Sequence, residues 1–249
     1  MSLFMHALQP DLGRLMRFAT RERLLPPGDD IGYALHVALS ASFAERAPKP
    51  FVWCEPGTHS GGRSGRVLCY SPYPLDELRA HADAFAEPTL HALLDLDRAE
   101  SKAMPQDFAR GTRLGFRVRI RPVLRTGKQR DGTGGKERDV YLDDPTAVAR
   151  SATRAECYVR WLAKQFQLGG ALVENARVES FSLTHLMTLD RSGGKSRRDS
   201  PTGPDAVAIG TAVVADTRKF VELLVRGVGR FRAFGFGMLL LSPPTNAGS

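Results

Sequence analysis

The stretch Gly227-Val228-Gly229-Arg230-Phe231-Arg232-Ala233-Phe234-Gly235-Phe236-Gly237 holds four glycines and two arginines, and it runs into the apolar segment Met238 to Leu241. Glycine reaches positive φ without a Cβ clash and lets a backbone approach a ligand, while arginines beside exposed amides favour an anion. The segment therefore reads either as an anion cradle on a sheet edge or as a tight helix-to-strand connection. Both readings put a helix before it, capped by Asp216 and reaching Val225, and a strand from Phe234 to Leu241 after it.

Upstream, one order of elements recurs. Leu3 to Leu8 predicts a strand, and Arg14, Arg17, Arg21 and Arg23 follow in a loop or short helix. Asp29 or Asp30 caps a helix from Ile31 to Ala44 that Pro48 and Pro50 stop. Phe51 to Cys54 and Arg66 to Tyr70 read as a hairpin, Pro74 to Phe85 as a helix, and Leu90 to Leu96 as a strand. The second round opens with Arg113 to Leu124, where Leu114, Phe116, Val118 and Ile120 alternate with Gly115, Arg117, Arg119 and Arg121. That is a half-buried strand with an arginine-lined second face. A helix from Thr153 to Phe166 and strands at Ala171 to Leu183 and Val207 to Val214 lead to the terminal helix and glycine loop. The fold class is α+β: two tandem ferredoxin-like (RRM-like) domains, residues 1–108 and 109–249, with a C-terminal glycine-rich loop.

Composition narrows the function. With 249 residues, 42% hydrophobic and 25% charged, the chain fits one large or two small globular domains and excludes a disordered protein. No apolar run is long enough to span a bilayer and no secretory leader pattern opens the chain, which predicts a cytoplasmic protein without a membrane partner. Cys54, Cys69 and Cys157 have neither disulfide nor zinc-knuckle spacing and read as buried thiols. The net charge is +8, and only seven of the 35 cations are lysine. Between Arg110 and Tyr141 ten basic residues stand against three acidic ones, so the excess is a local patch that predicts a nucleic-acid or other polyanionic partner.

Tyr33 and His36 are three residues apart on the first long helix and so share a face. Imidazole exchanges protons near neutral pH and a phenol can orient or share the proton, which makes the pair a candidate acid–base dyad. The competing reading is a hydrogen-bonded helix histidine beside Leu35 and Val37. His59, in a Gly/Ser turn, reads as incidental.

On two motifs the chain resembles the CRISPR repeat-processing endoribonucleases of the RAMP superfamily, most closely the CasE branch. These are the glycine loop, with Phe234-Gly235-Phe236-Gly237-Met238-Leu239-Leu240, and Tyr33-x-x-His36 after an Asp/Pro-rich entry. The chain departs from that branch in its greater length and in basic insertions near Thr126 to Arg138 and Ser192 to Gly203, in which it resembles instead the related processing enzymes of type IV CRISPR systems. The resemblance implies a metal-independent cut in precursor CRISPR RNA at the base of the repeat stem-loop, with no cofactor. The RNA 2′-hydroxyl attacks the adjacent phosphorus, so the protein orients groups, moves protons and offsets charge. It makes His36 the general acid or base and Tyr33 its helper; Arg21 and Arg23 are the candidates for the cation at the phosphorane, Arg21 being counted also among the RNA-binding residues. It lays the stem on Arg113, Arg117, Arg119 and Arg121, with Arg125, Lys128 and Arg130 beyond. The loop, through Gly227, Gly229, Arg230 and Arg232, clamps the backbone near the cut. Partners are then the repeat stem-loop RNA and subunits of a CRISPR effector complex. Two alternatives stay open: a non-catalytic RAMP subunit that binds the guide RNA, and a plain ferredoxin-like protein whose basic face binds another polyanion.

Overall fold

The computed structural model describes residues 2–25, 30–58, 64–125, 137–149, 151–186, 188–190, 197–199 and 202–244. Asp29, His59, Lys128 and Arg130 lie outside the described residues, as do 126–136 and much of the segment between Ser192 and Gly203.

The first half runs β1 (Phe4–Leu8), α1 (Leu12–Arg21), α2 (Gly32–Phe43), β2 (Phe51–Cys54), β3 (Arg66–Ser71), α3 (Leu75–Phe85), α4 (Pro88–Leu94) and β4 (Glu100–Ala103). Its sheet is antiparallel in the order β2-β3-β1-β4. The second half runs β5 (Arg113–Ile120), β6 (Val123–Arg125), β7 (Glu137–Asp139), α5 (Pro145–Val148), α6 (Arg154–Leu168), β8 (Ala171–His185), β9 (Thr188–Asp190), β10 (Arg197–Asp199), β11 (Thr202–Val214), α7 (Thr217–Arg226) and β12 (Leu240–Ser242). Its main sheet, β12-β5-β11-β8, repeats the order of the first, and β6–β7 and β9–β10 are small hairpins upon it. Both halves are βαββαβ units of the ferredoxin-like kind.

Local chemistry sets the element ends. The Asp11 carboxylate accepts the Arg14 amide at 2.8 Å and starts α1. Thr153 and Glu156 form a reciprocal capping box on α6, and Asp216 accepts from the Lys219 amide to start α7. Two expectations are corrected. The run Leu90 to Leu96 is not a strand: Pro88 opens a helix whose Leu90, Leu93 and Leu94 are buried on one face. The actual fourth strand, Glu-Ser-Lys-Ala, is exposed throughout and is fixed by backbone pairing to β1. Nor does Phe234 to Leu241 form one strand, because Gly235 and Gly237 hold φ of 88° and 78° and extended pairing begins only at Leu240.

Away from its exposed edge strand β4, the first sheet is covered on both faces. Leu8, Phe51, Val67 and Cys69 pack under α1 to α4, whereas Val52, Cys54, Leu68 and Tyr70 face the second half. From Leu68 and Tyr70 one cluster continues through Met238 and Leu239 to Phe116, Val118, Leu162 and Phe220. The buried Tyr70 hydroxyl donates to the Leu239 carbonyl at 2.8 Å inside it. Burial pushes the Cys54 thiol up to about 11 and the Cys69 thiol up to about 12, leaving both inert at neutral pH.

Candidate functional site

Helix α2 starts where Asp30 Oδ1 accepts the Gly32 amide at 2.6 Å. A Cβ on Gly32 would lie 2.3 Å from the Phe234 carbonyl oxygen, so the absence of a side chain is what lets the helix meet the glycine loop. The next turn completes the contact. The Phe234 ring centroid is 5.7 Å from Tyr33 and 5.0 Å from His36, the latter edge-on. Tyr33 is buried and His36 half-buried, and His36 Nδ1 lies 3.3 Å from Ser40 Oγ. Burial, then the positive charge of Lys49, pushes the His36 pKa below its ordinary 6.5. Both disfavour imidazolium and so favour the neutral ring, the form that accepts a proton.

The loop is held at its ends. Val228 N donates to Gly237 O at 2.8 Å and Gly237 N to Arg119 O at 2.7 Å. Gly229 has φ of 71°, and a Cβ there would stand 2.8 Å from the Trp161 ring. Phe231 also sits in the left-handed region, φ 60° and ψ 28°, without being glycine.

Between this loop, residues 45–49 and Tyr73 lies a groove of about 740 Å³. Its cations are Arg46, Lys49, Arg226, Arg230 and Arg232, and Glu45 is the acid among its lining residues. Tyr73, Phe231 and Phe234 supply aromatic walls, and Phe234 is the residue against which His36 packs. The sequence reading named Arg230 and Arg232 for this site but missed Lys49, Arg46 and Tyr73. Nothing in Pro48-Lys49-Pro50 marks a functional lysine; only the fold brings it to His36.

The arginine face of β5 departs from expectation. Arg119 donates to Asp205 at 3.0 and 2.5 Å and to Asp30 at 2.5 Å, and its guanidinium lies 4.3 Å from the Phe236 ring centroid. Burial works against its charge, but the Asp205 and Asp30 carboxylates outweigh burial and raise its pKa. Arg121 is 3% exposed. Neither has the solvent-facing position that alternation predicted: Arg119 is turned to Asp30, Asp205 and Phe236, and Arg121 to Thr184 and the Phe231 ring. Arg113 and Arg117 are exposed but paired with Glu174 and Glu179. Arg125 on β6 is exposed. Arg21 is at the surface, bonded to Glu22 at 2.8 Å, and Arg23 follows α1 with φ of 54°; neither is among the residues lining the groove.

The β6–β7 hairpin is fixed at its base. Asp139 accepts from the Tyr158 hydroxyl at 2.9 Å and pairs with Arg154, whose guanidinium sits 4.4 Å from the Tyr141 and 4.9 Å from the Phe181 centroid. Arg230 donates to Glu137 on β7 at 2.7 Å, tying the glycine loop to that hairpin. Among the described residues no cluster of His, Cys, Asp and Glu could hold a metal ion, and no helix is long and apolar enough to cross a membrane.

The sequence profile of the CRISPR-associated protein family matches residues 15–243. The chain belongs to that family. No curated protein matches this CRISPR-associated chain at the level of sequence. Among solved structures it is similar to the CRISPR endoribonuclease Cse3 bound to a 19-nucleotide RNA, with a TM-score of 0.62 and 20% identity over 98% of this chain and 100% of that one. Thermus thermophilus Cse3, bound to an RNA representing a pre-cleavage complex, gives a TM-score of 0.60 and 19% identity over 98% and 100% of the chains. A further CRISPR-associated protein from Thermus thermophilus gives 0.53 and 18% over 97% and 100%. The fold of this CRISPR-associated protein is thus the two-domain ferredoxin-like fold of those structures.

Proposed function

We propose that this CRISPR-associated protein is an endoribonuclease that cuts precursor CRISPR RNA in the repeat stem-loop. The cut proceeds without a metal ion by attack of the RNA 2′-hydroxyl on the adjacent phosphorus, leaving a 2′,3′-cyclic phosphate and a 5′-hydroxyl. The observation that carries this reading is the contact of His36 with Phe234 beside a groove of five cations. A neutral imidazole takes the 2′-hydroxyl proton, the imidazolium so formed returns a proton to the 5′-oxygen as the P–O5′ bond breaks, and the adjacent cations offset the charge that grows on the phosphorane oxygens. Ser40 holds Nδ1, which leaves Nε2 to exchange the proton. Tyr33 packs on the same Phe234 ring and so helps to fix His36 against that lining residue. Lys49, whose charge His36 already senses, replaces Arg21 and Arg23 as the candidate for the phosphorane cation. The product is retained and handed to an effector complex.

The test is incubation of a repeat stem-loop RNA with the wild type and with His36→Ala in EDTA. Wild-type cleavage that survives chelation and disappears in the variant, with binding intact, supports the reading. Binding without cleavage by the wild type points instead to a non-catalytic guide-RNA subunit. Equal binding of RNAs lacking a stem-loop points to a general polyanion binder.

A further inference from the structure

The groove has a second chemical character besides charge. Its rings already carry guanidinium groups: Arg46 lies 5.2 Å from the Tyr73 centroid, and Arg230 lies 6.0 Å from that of Phe231. A planar guanidinium stacks on a nucleobase as it does on an aromatic ring, so base, ring and arginine can extend one stack. Paired bases in an A-form stem are covered by their neighbours and offer no free face; only unpaired bases can enter such a stack.

Two further observations point to an occupant. Phe231 holds a left-handed backbone that a bulky side chain rarely adopts, closed by a bond from Phe234 N to Phe231 O at 2.8 Å. Such a conformation persists where the surroundings enforce it, and it concentrates at ligand sites. The arginines are also crowded. Arg232 donates to the Arg226 carbonyl at 2.6 Å, and burial, then the charges of Arg226 and Arg230, lower its pKa. An anion placed among them relieves that repulsion. Of the groove's cations, Arg46 is paired with Glu77 and Arg230 with Glu137, as the duplex-facing candidates on β5 are paired with carboxylates, so the anion falls to the crowded Arg226 and Arg232.

We infer that this groove is a subsite for single-stranded ribonucleotides flanking the stem, with bases stacked on Phe231 and Tyr73 and phosphates at Arg226 and Arg232. The inference rests on the proposal that the chain acts on RNA, but it concerns binding and does not require the cut. The groove volume of about 740 Å³ is ample for a short oligonucleotide segment and falls in the range of small-ligand sites, ~300–1,000 Å³.

The experiment uses full-length His36→Ala protein, so that cleavage plays no part. Affinity is measured by fluorescence anisotropy for three labelled stem-loops: one with blunt ends, one with four unpaired nucleotides at the flank, and one whose flank is abasic. The unpaired flank should tighten binding by about 5- to 100-fold over the blunt stem, as base–aromatic stacking does elsewhere. The abasic flank should recover only a minor part of that gain. Tyr73→Leu and Phe231→Leu should each remove most of the gain, while Tyr73→Phe and Phe231→Tyr keep it. Tyr73 lies outside the glycine loop, so its variants report on the groove even if Phe231→Leu disturbs the loop. An abasic flank that binds as tightly as the intact one overturns the inference, as does a gain indifferent to both rings. An acidic peptide that competes with the flank at equal affinity in wild type and ring variants overturns it as well, by making the groove a protein-docking site. A wild type that cuts no RNA yet retains the ring-dependent gain sinks the nuclease proposal and leaves the subsite standing.

Discussion

Arg119 on β5 donates to the Asp30 carboxylate at 2.5 Å, and this bond joins the second sheet to the start of the helix that carries His36. The same guanidinium holds Asp205 on β11 and lies over Phe236, while the Arg119 carbonyl accepts the Gly237 amide. One residue therefore sets helix α2, the glycine loop and the second sheet in register with each other. The sequence offered Arg119 as an RNA contact; in the structure its charge is held by Asp30 and Asp205.

Arg119→Met should leave two largely buried carboxylates without their cation. Removing one partner of a buried charge pair destabilises by about 3–5 kcal/mol, so thermal denaturation should show a clear drop in melting temperature. Any fraction that folds should bind stem-loop RNA with the wild-type salt slope, because no phosphate contact has been lost.

Arg125→Ala should leave the fold intact and lower the slope of log affinity against log salt by about 0.9 if the side chain meets one phosphate. Arg121→Gln should not change that slope, since Arg121 is 3% exposed. Titrations at several salt concentrations separate the two, and equal slope changes would refute the distinction.

With His36 acting as base in its neutral form, single-turnover cleavage should rise with pH and level off above the folded pKa, which lies below 6.5. Lys49→Met removes a charge that disfavours imidazolium, so the acidic limb should move to higher pH. A plateau lowered as well would assign Lys49 to the phosphorane. Rates collected from about pH 5 to 8 suffice, the range in which imidazole titrates.

Stability should also fall in mild acid through His6. It is fully buried between Ser101 and the Tyr73 carbonyl, and burial, opposed by the bond to Tyr73, lowers its pKa. Below pH 6.5 the unfolded chain takes up a proton that the folded chain refuses, so unfolding becomes easier as pH falls toward the folded pKa and no easier below it. His6→Gln should flatten that part of a denaturant-midpoint against pH curve.

Gly229→Val should destabilise the protein and weaken RNA binding. The substitution meets both a φ of 71° and the Trp161 ring, and strain of this kind costs about 1–3 kcal/mol. Gly229→Ala shares the ring contact with less backbone strain and should fall between the two in melting temperature.

The repeating element order was legible because apolar alternation in β5 and the caps at Thr153 and Asp216 are local signals. β4 was not, since its Glu-Ser-Lys-Ala sequence has no apolar face and owes its extended form to pairing with β1. The same limit governs the site. Spacing alone puts Tyr33 and His36 on one helical face, but the partners of Arg113, Arg117 and Arg119 lie 61 to 89 residues away in the chain. Local charge counts cannot tell a cation that is already neutralised from one awaiting phosphate. Lys49 was missed for a related reason: its meaning comes from a neighbour thirteen positions earlier that only packing brings close.

The cluster that runs from Leu68 through Leu239 to Phe220 belongs to neither half alone. Expressed separately, a fragment of residues 1–108 would present Val52, Leu68 and Tyr70 to water on an open sheet, and its counterpart would lose the shelter of its terminal segment. The tandem repeat thus shares one interior: a change to the underside of one sheet bears on the other, and through Val225, which lines the groove and packs against that interior, it reaches the groove as well.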